Sequence, residues 1–277
     1  MSNTIVNTNI LSINSHRALK SVGNMQSKAS AKLSSGLRIN SASDDAAGLA
    51  ISEKMRGQVR GLNQASRNTQ DGISMIQTAE GGMQEINNMA QRIRELTVQA
   101  ANDTNDQATG DRTKIQTEIN QLVSEIDSMA GRVQFNSKNL LDGSTSSVTF
   151  QVGANKDQTM NVTLSSMKSS SLGLDTISVD QSSASNISAQ LSTIDSAISK
   201  VTTARANLGA AQNRLEFTVT SLDVSAENLQ ASESRIRDAD MAKEMMNVTK
   251  ANVLQQAATS MLSQANQAPQ KVLQLLQ

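Results

Sequence analysis

The stretch that decides the fold is ISAQLSTIDSAISKVTTARANLGAAQNRLEFTVTSLDVSAENL, residues 187–229. Its apolar residues recur mostly at alternating steps of four and three, which keeps them on one face of a helix. Coiled coils use the same spacing. The stretch therefore predicts a long helix that packs against other helices along this face. The predicted seam consists of Ile187, Leu191, Ile194, Ile198, Val201, Leu208, Ala211, Leu215, Thr218, Leu222, Ala226, Leu229 and Ile236.

Two further seams precede this one and predict two more helices. Ser43, followed by two acidic residues, is typical of a helix N-cap, and Asn102 and Asp103 interrupt the pattern. Gly131 stands where a left-handed residue can end the next helix. The longer seam is Leu62, Ala65, Thr69, Ile73, Ile76, Ala79, Met83, Ile86, Ala90, Ile93 and Leu96, and the shorter is Ile115, Ile119, Leu122, Ile126 and Met129.

Composition supports a mainly α fold, a long coiled-coil-like helical bundle. The 277 residues are 37% hydrophobic but only 1% aromatic, with one proline, so the core must be aliphatic. Equal numbers of basic and acidic residues, 25 each, argue against nucleic-acid binding. No apolar run is long enough for membrane insertion. With no Cys and only His16, thiol catalysis and His/Cys zinc sites are excluded, and we expect neither enzyme activity nor a cofactor.

The hydrophobic period changes to two in the middle of the chain. Val148, Phe150 and Val152 alternate with polar residues, and Met160, Val162 and Leu164 do so after a short polar turn. This pattern predicts a small β-hairpin. The region 132–184 around it is rich in Ser and Thr, so we expect an exposed and mobile surface cap.

The two ends of the chain each carry a single weak amphipathic strip. One contains Leu11, Ala18, Val22, Met25 and Ala29, and the other Ala242, Met245, Thr249, Val253 and Gln256. One strip alone cannot offset the entropy of ordering its chain. We therefore expect the arms, 1–43 and 236–277, to order only against each other and against neighbouring copies. A rod-like helical domain, 44–235, is expected between them.

Several blocks of the sequence resemble bacterial flagellin. They include SSGLRINSASDDAAGLAISEKMR (34–56), QRIRELTVQAAN (91–102), FNSKNLLDGS (135–144), RANLGAAQNRLEFTVTSL (205–222) and SQANQAPQKVLQLLQ (263–277). The blocks stand in the family's order, and the region between them is too short for the large variable outer domains of longer relatives. The alternatives are a hook-filament junction protein and a cytoplasmic coiled-coil signalling or scaffold protein.

The resemblance implies a structural subunit that polymerises into the flagellar filament for motility. It implies an extracellular, secreted protein that the flagellar secretion apparatus exports without a cleaved signal peptide. The partners would be other copies of the chain, an export chaperone near Met241, Met245 and Met246, and the filament cap and hook-associated proteins. The expected filament-assembly residues are Ile5, Ile10, Leu11, Leu19, Val22, Met245, Val253, Leu262, Leu273 and Leu276.

The block QRIRELTVQ also resembles the part of flagellin that the innate immune flagellin receptor, a Toll-like receptor, recognises. The matching residues are Arg92 and Leu96, with Glu118 on the following helix. The alternative is that Arg92 and Glu118 lie on an ordinary solvated face. Leu96 also belongs to the seam of the longer helix, so its place in the monomer is open between the seam and its rim. If Leu96 is free in the monomer, the receptor patch and the filament contact overlap on the same residues.

Overall fold

The computed structural model describes residues 8–102, 110–180 and 184–275, and it is mainly helical as predicted. The helices are α1 (Ile10–Ser35), α2 (Ala46–Ala100), α3 (Asp111–Arg132), α4 (Ser169–Leu172), α5 (Ala184–Arg237) and α6 (Met241–Leu275). The strands are β1 (Gln134–Phe135), β2 (Lys138–Asn139), β3 (Ser147–Gln151) and β4 (Thr159–Thr163). The chain divides into a terminal unit, up to residue 57 and from 228, and a central unit, 58–227.

In the terminal unit, α1 and α6 pair closely. The residues buried between them are small: Ala29, Ala251 and Ala265. Polar side chains join the same pair of helices, with Asn9 Nδ2 donating to the Ala265 carbonyl oxygen at 2.7 Å and Gln26 Nε2 donating to Asn252 Oδ1 at 2.6 Å. Alanine lets helix backbones approach, and the larger apolar side chains described on both helices are either exposed or, like Leu19, Val22 and Leu262, only half-buried.

The start of α2 differs from the prediction that Ser43 is its N-cap. The helix begins at Ala46, and the Asp45 carboxylate accepts from the Gly48 backbone N–H at 2.8 Å, which makes Asp45 the cap. Asp44 instead accepts from the backbone N–H groups of Ser41 and Asn40, both at 3.1 Å. These two bonds, Ser41 first, lower the pKa of Asp44. Asp44 therefore stabilises the turn before the helix.

The three predicted seams supply most of the core of the central unit, although Leu229 and Ile236 fall in the terminal unit. Ile76, Ile86, Ile119 and Ile126 are buried, and Leu208 and Leu215 of α5 join them in one cluster. Leu122 and Met129 are only partly buried. The predicted cap at Gly131 is wrong, because α3 continues to Arg132 and the extended residue Val133 ends it.

The β-hairpin is confirmed, with Val148 paired to Val162 and Phe150 to Met160 in β3 and β4. The expectation of a surface cap is wrong, because Met160 and Val162 are buried in the core of the unit. The hairpin docks closely: a Cβ added at Gly72 of α2 would lie 3.1 Å from the Phe150 ring.

The chain that follows the hairpin is also packed into the core, despite its Ser and Thr content. Its buried apolar residues are Leu164, Met167, Leu172, Leu174, Ile177 and Val179. Ser169 is buried too, and the Asp127 carboxylate accepts both its backbone N–H, at 2.8 Å, and its hydroxyl, at 2.7 Å. Polar residues are therefore interleaved with apolar residues that face inwards.

Candidate interaction surfaces

The terminal unit exposes most of the large apolar side chains that the described residues leave on the surface. Ten of the fourteen lie on α1 and α6. They are Ile10, Leu11, Ile13, Met25, Met241, Met245, Met246, Val253, Leu254 and Met261. So many exposed large apolar side chains on one pair of helices are typical of a protein–protein contact.

The predicted assembly residues fall into three groups. Ile10, Leu11, Met245 and Val253 are exposed. The half-buried members are Leu19, Val22 and Leu262. Leu273 lies on α6, but the structure does not describe its side chain. Ile5 and Leu276 lie outside the described residues. Met246 and Met261 are exposed as well, but they lie outside the heptad strip of the C-terminal arm. The heptad pattern therefore did not predict them as assembly residues.

The structure brings Arg92 of α2 and Glu118 of α3 together. Arg92 donates through Nη2 and Nε to Glu118 Oε1, at 2.9 and 3.1 Å, and through Nη1 to Glu95 Oε2 at 3.2 Å. These bonds, that to Glu118 first, raise the pKa of Arg92 above its ordinary value. About half of each side chain of the Arg92–Glu118 pair is exposed, so the pair adds little stability but holds the guanidinium in one orientation.

Leu96 does not join Arg92 and Glu118 on the surface. It is 2% exposed and lies in the core, in line with Ile93 and Ala100 on the same face of α2. Of the two placements left open for Leu96, the seam is therefore the one found, and the exposure that an overlap requires is not. The overlap between the receptor patch and the filament contact was inferred from an exposed Leu96. Because Leu96 is buried, the structure gives no reason to expect that overlap.

The described residues contain no group of three or more His, Cys, Asp or Glu placed to hold a metal ion. No described helix combines the length and the apolar character that crossing a bilayer requires.

Paired terminal helices with open apolar faces, joined to a separate helical bundle, are typical of a structural subunit that assembles with copies of itself. Comparison with known proteins makes this specific: the chain belongs to the bacterial flagellin family. The model of the flagellin N-terminal helical region matches residues 6–146, and that of the C-terminal helical region matches residues 191–276.

Relatives match over nearly their whole lengths. The flagellin of Halalkalibacterium halodurans is 50% identical over 272 residues, which cover 98% of this chain and 99% of that protein. The flagellin of Bacillus subtilis is 49% identical, with the same coverage. The flagellar filament 33 kDa core protein of Treponema phagedenis is also 49% identical, again over 98% of this chain and 99% of that protein. The chain is accordingly a structural subunit of the flagellar filament.

Solved structures share the fold. The crystal structure of Bacillus cereus flagellin matches with a TM-score of 0.50 at 29% identity, covering 60% of this chain and 94% of that one. A putative flagellar hook-associated protein from Vibrio parahaemolyticus matches with a TM-score of 0.60 at 16% identity, covering 70% of this chain and 100% of that one. The second likeness concerns the fold alone. The names of the relatives favour a flagellin over a junction protein or a cytoplasmic coiled coil.

Proposed function

We propose that the terminal unit carries most of the contact between copies in the filament. The observation that supports this is its packing: only alanines are fully buried between α1 and α6, while ten large apolar side chains are exposed and others, such as Leu19, Val22 and Leu262, are half-buried. In this proposal the arms 1–43 and 236–277 form the assembly domain, and 44–235 forms a rod-like domain that folds on its own. The chain catalyses nothing.

The same exposed surface suits an export chaperone before assembly. Met241, Met245 and Met246 are all exposed on α6, and flexible methionine side chains adapt to different partners. The chain would leave the cell through the flagellar secretion apparatus without a cleaved signal peptide. It would then meet the filament cap and the hook-associated proteins outside the cell.

Limited proteolysis of dilute monomer is expected to remove both arms and leave a fragment near residues 44–235. The reason is that α1 and α6 fully bury only small side chains against each other, and most of their larger apolar side chains stay exposed without a neighbouring copy. Mass spectrometry of the digest identifies the ends. Filaments digested in parallel are the control and should keep their arms. Arms that resist protease in dilute monomer would contradict the proposal.

A second function, recognition of the monomer by the innate immune flagellin receptor, is supported by the Arg92–Glu118 pair. Arg92→Asp is expected to weaken receptor activation by about tenfold or more, because it reverses a charge that can form charge-assisted hydrogen bonds with a partner. The free energy of unfolding of the monomer should change by no more than about 1 kcal/mol, since the Arg92–Glu118 pair is half exposed. Dose–response curves in receptor-expressing cells measure the effect.

Arg94→Asp is the matched control for the receptor experiment. Arg94 also forms a half-exposed ion pair from α2, with Asp195 of α5 at 2.7 Å. The Arg94→Asp variant should therefore keep most of its receptor activation. Equal losses for Arg92→Asp and Arg94→Asp, or full activity of Arg92→Asp, would remove Arg92 from the receptor contact. Leu96→Ala is unsuitable here, because Leu96 is a core residue.

A further inference from the structure

The methionines of the chain differ in exposure between the two units. In the central unit the described methionines are buried or half-buried, and Met83 and Met167 are 0% and 1% exposed. The exposed methionines among the described residues all lie on α1 and α6 of the terminal unit. They are here called the terminal methionines and are Met25, Met241, Met245, Met246 and Met261.

The terminal methionines are open to small molecules in solution. Met245 and Met246 line an open groove on α6 together with Val253 and Leu254, and Met261 is 58% exposed. Leucine has about the same helix propensity and a similar apolar volume, so neither the helix nor its apolar surface requires sulfur at these positions. What the thioether adds is flexibility and a sulfur atom that oxidants attack.

Hydrogen peroxide converts a methionine thioether into a sulfoxide. A lone pair of Sδ attacks one peroxide oxygen, and the O–O bond breaks as the S–O bond forms. The proton of the transferred oxygen goes to the departing hydroxide, which leaves as water, so that sulfur loses the two electrons that the peroxide gains. The product side chain is polar and chiral, and methionine sulfoxide reductases return it to the thioether.

We propose that the terminal methionines are a site of reversible oxidation that keeps an oxidised subunit out of the filament. The proposal rests on the proposed role of the terminal unit as the main contact between copies. In that contact a sulfoxide oxygen is buried without a hydrogen-bond partner, whereas in the free chain water solvates it. Oxidation acts on the subunit before assembly, and the methionines stay accessible if the arms unfold in dilute monomer.

Peroxide treatment of the purified monomer before seeding tests this proposal. Peptide mass spectrometry should show the terminal methionines oxidised about tenfold or more faster than Met83 and Met167, because the core excludes the oxidant from those two. The critical concentration of the treated chain should rise by about tenfold or more. Treatment with methionine sulfoxide reductases and a thiol reductant should restore polymerisation.

Replacement of all five terminal methionines by leucine gives a variant that this oxidation cannot affect. It should polymerise as the wild-type chain does before treatment, and it should keep that polymerisation after peroxide. The matched control is Met83→Leu with Met167→Leu, which removes two methionines from the core and leaves the terminal methionines in place. This control should remain as sensitive to peroxide as the wild-type chain.

Three outcomes would overturn the proposal. The first is normal polymerisation of a wild-type chain whose terminal methionines carry sulfoxides, and the second is a peroxide defect that the reductases do not reverse. Neither depends on a substitution. The third is a leucine variant that polymerises before treatment but is as sensitive to peroxide as the wild-type chain. The contact role of the terminal unit is tested separately, by charged substitutions on α6 in untreated protein, so its failure is distinguishable from these outcomes.

Discussion

Leu208→Ala is expected to lower the free energy of unfolding of the central unit by about 2 to 5 kcal/mol. Leu208 is 1% exposed and stands in the cluster that α2, α3 and α5 form together. Its truncation removes apolar contacts and leaves a cavity that a bundle of long helices cannot easily close. Denaturant unfolding of the monomer, followed by circular dichroism, measures the change.

Leu122→Ala is the control for this experiment. Leu122 belongs to the α3 seam by spacing but is only partly buried, so its truncation should cost clearly less. An unchanged stability for Leu208→Ala would mean that the α5 seam does not face the core. A larger loss for Leu122→Ala than for Leu208→Ala would contradict the packing described here.

The double substitution Met246→Asp with Val253→Asp is expected to abolish filament formation. Both side chains project from α6, with exposed fractions of 66% and 60%, and both belong to the apolar surface assigned to contacts between copies. Two carboxylates buried in that contact would lack partners. Sedimentation after seeding measures the polymer formed.

Thr259→Asp with Ser263→Asp is the corresponding control on α6. Both residues are polar and exposed, and they lie about 80 to 120° around the helix from Val253, so the pair adds the same charge to the same helix away from the Met246–Val253 face. The control double variant should form more polymer than the double variant Met246→Asp with Val253→Asp. If both double variants polymerise as the wild-type chain does, the terminal-unit surface is not the main contact.

Much of the fold could be predicted because one physical signal dominates it. The heptad spacing of residues such as Ile86, Ile126 and Leu215 requires a common buried face, and each of the three is buried. Gly82 of α2 is a site of close packing in this bundle, because a Cβ added there would lie 2.6 Å from Val133 Cγ2. Its neighbour Gly81 has no such contact, since only one of two adjacent helical residues can face the same partner.

The features that could not be predicted depend on contacts between distant residues. Serine content suggested an exposed tract after the hairpin, but composition does not show that Asp127 satisfies the buried Ser169. The burial of Leu96 follows from its seam, whereas the resemblance to a receptor site suggested exposure. The exposure of Phe217 was not predicted, because the heptad pattern of α5 describes only its buried face and Phe217 lies on the opposite face.

The central claim is that this chain is a self-assembling filament subunit with uncovered apolar surface on its terminal helices. Electron microscopy of the purified wild-type chain after seeding tests it most directly. We expect long helical filaments in which α1 and α6 of each copy are covered by neighbouring copies. A chain that remains monomeric or forms closed oligomers, or a filament in which Met246 and Val253 face solvent, would contradict it.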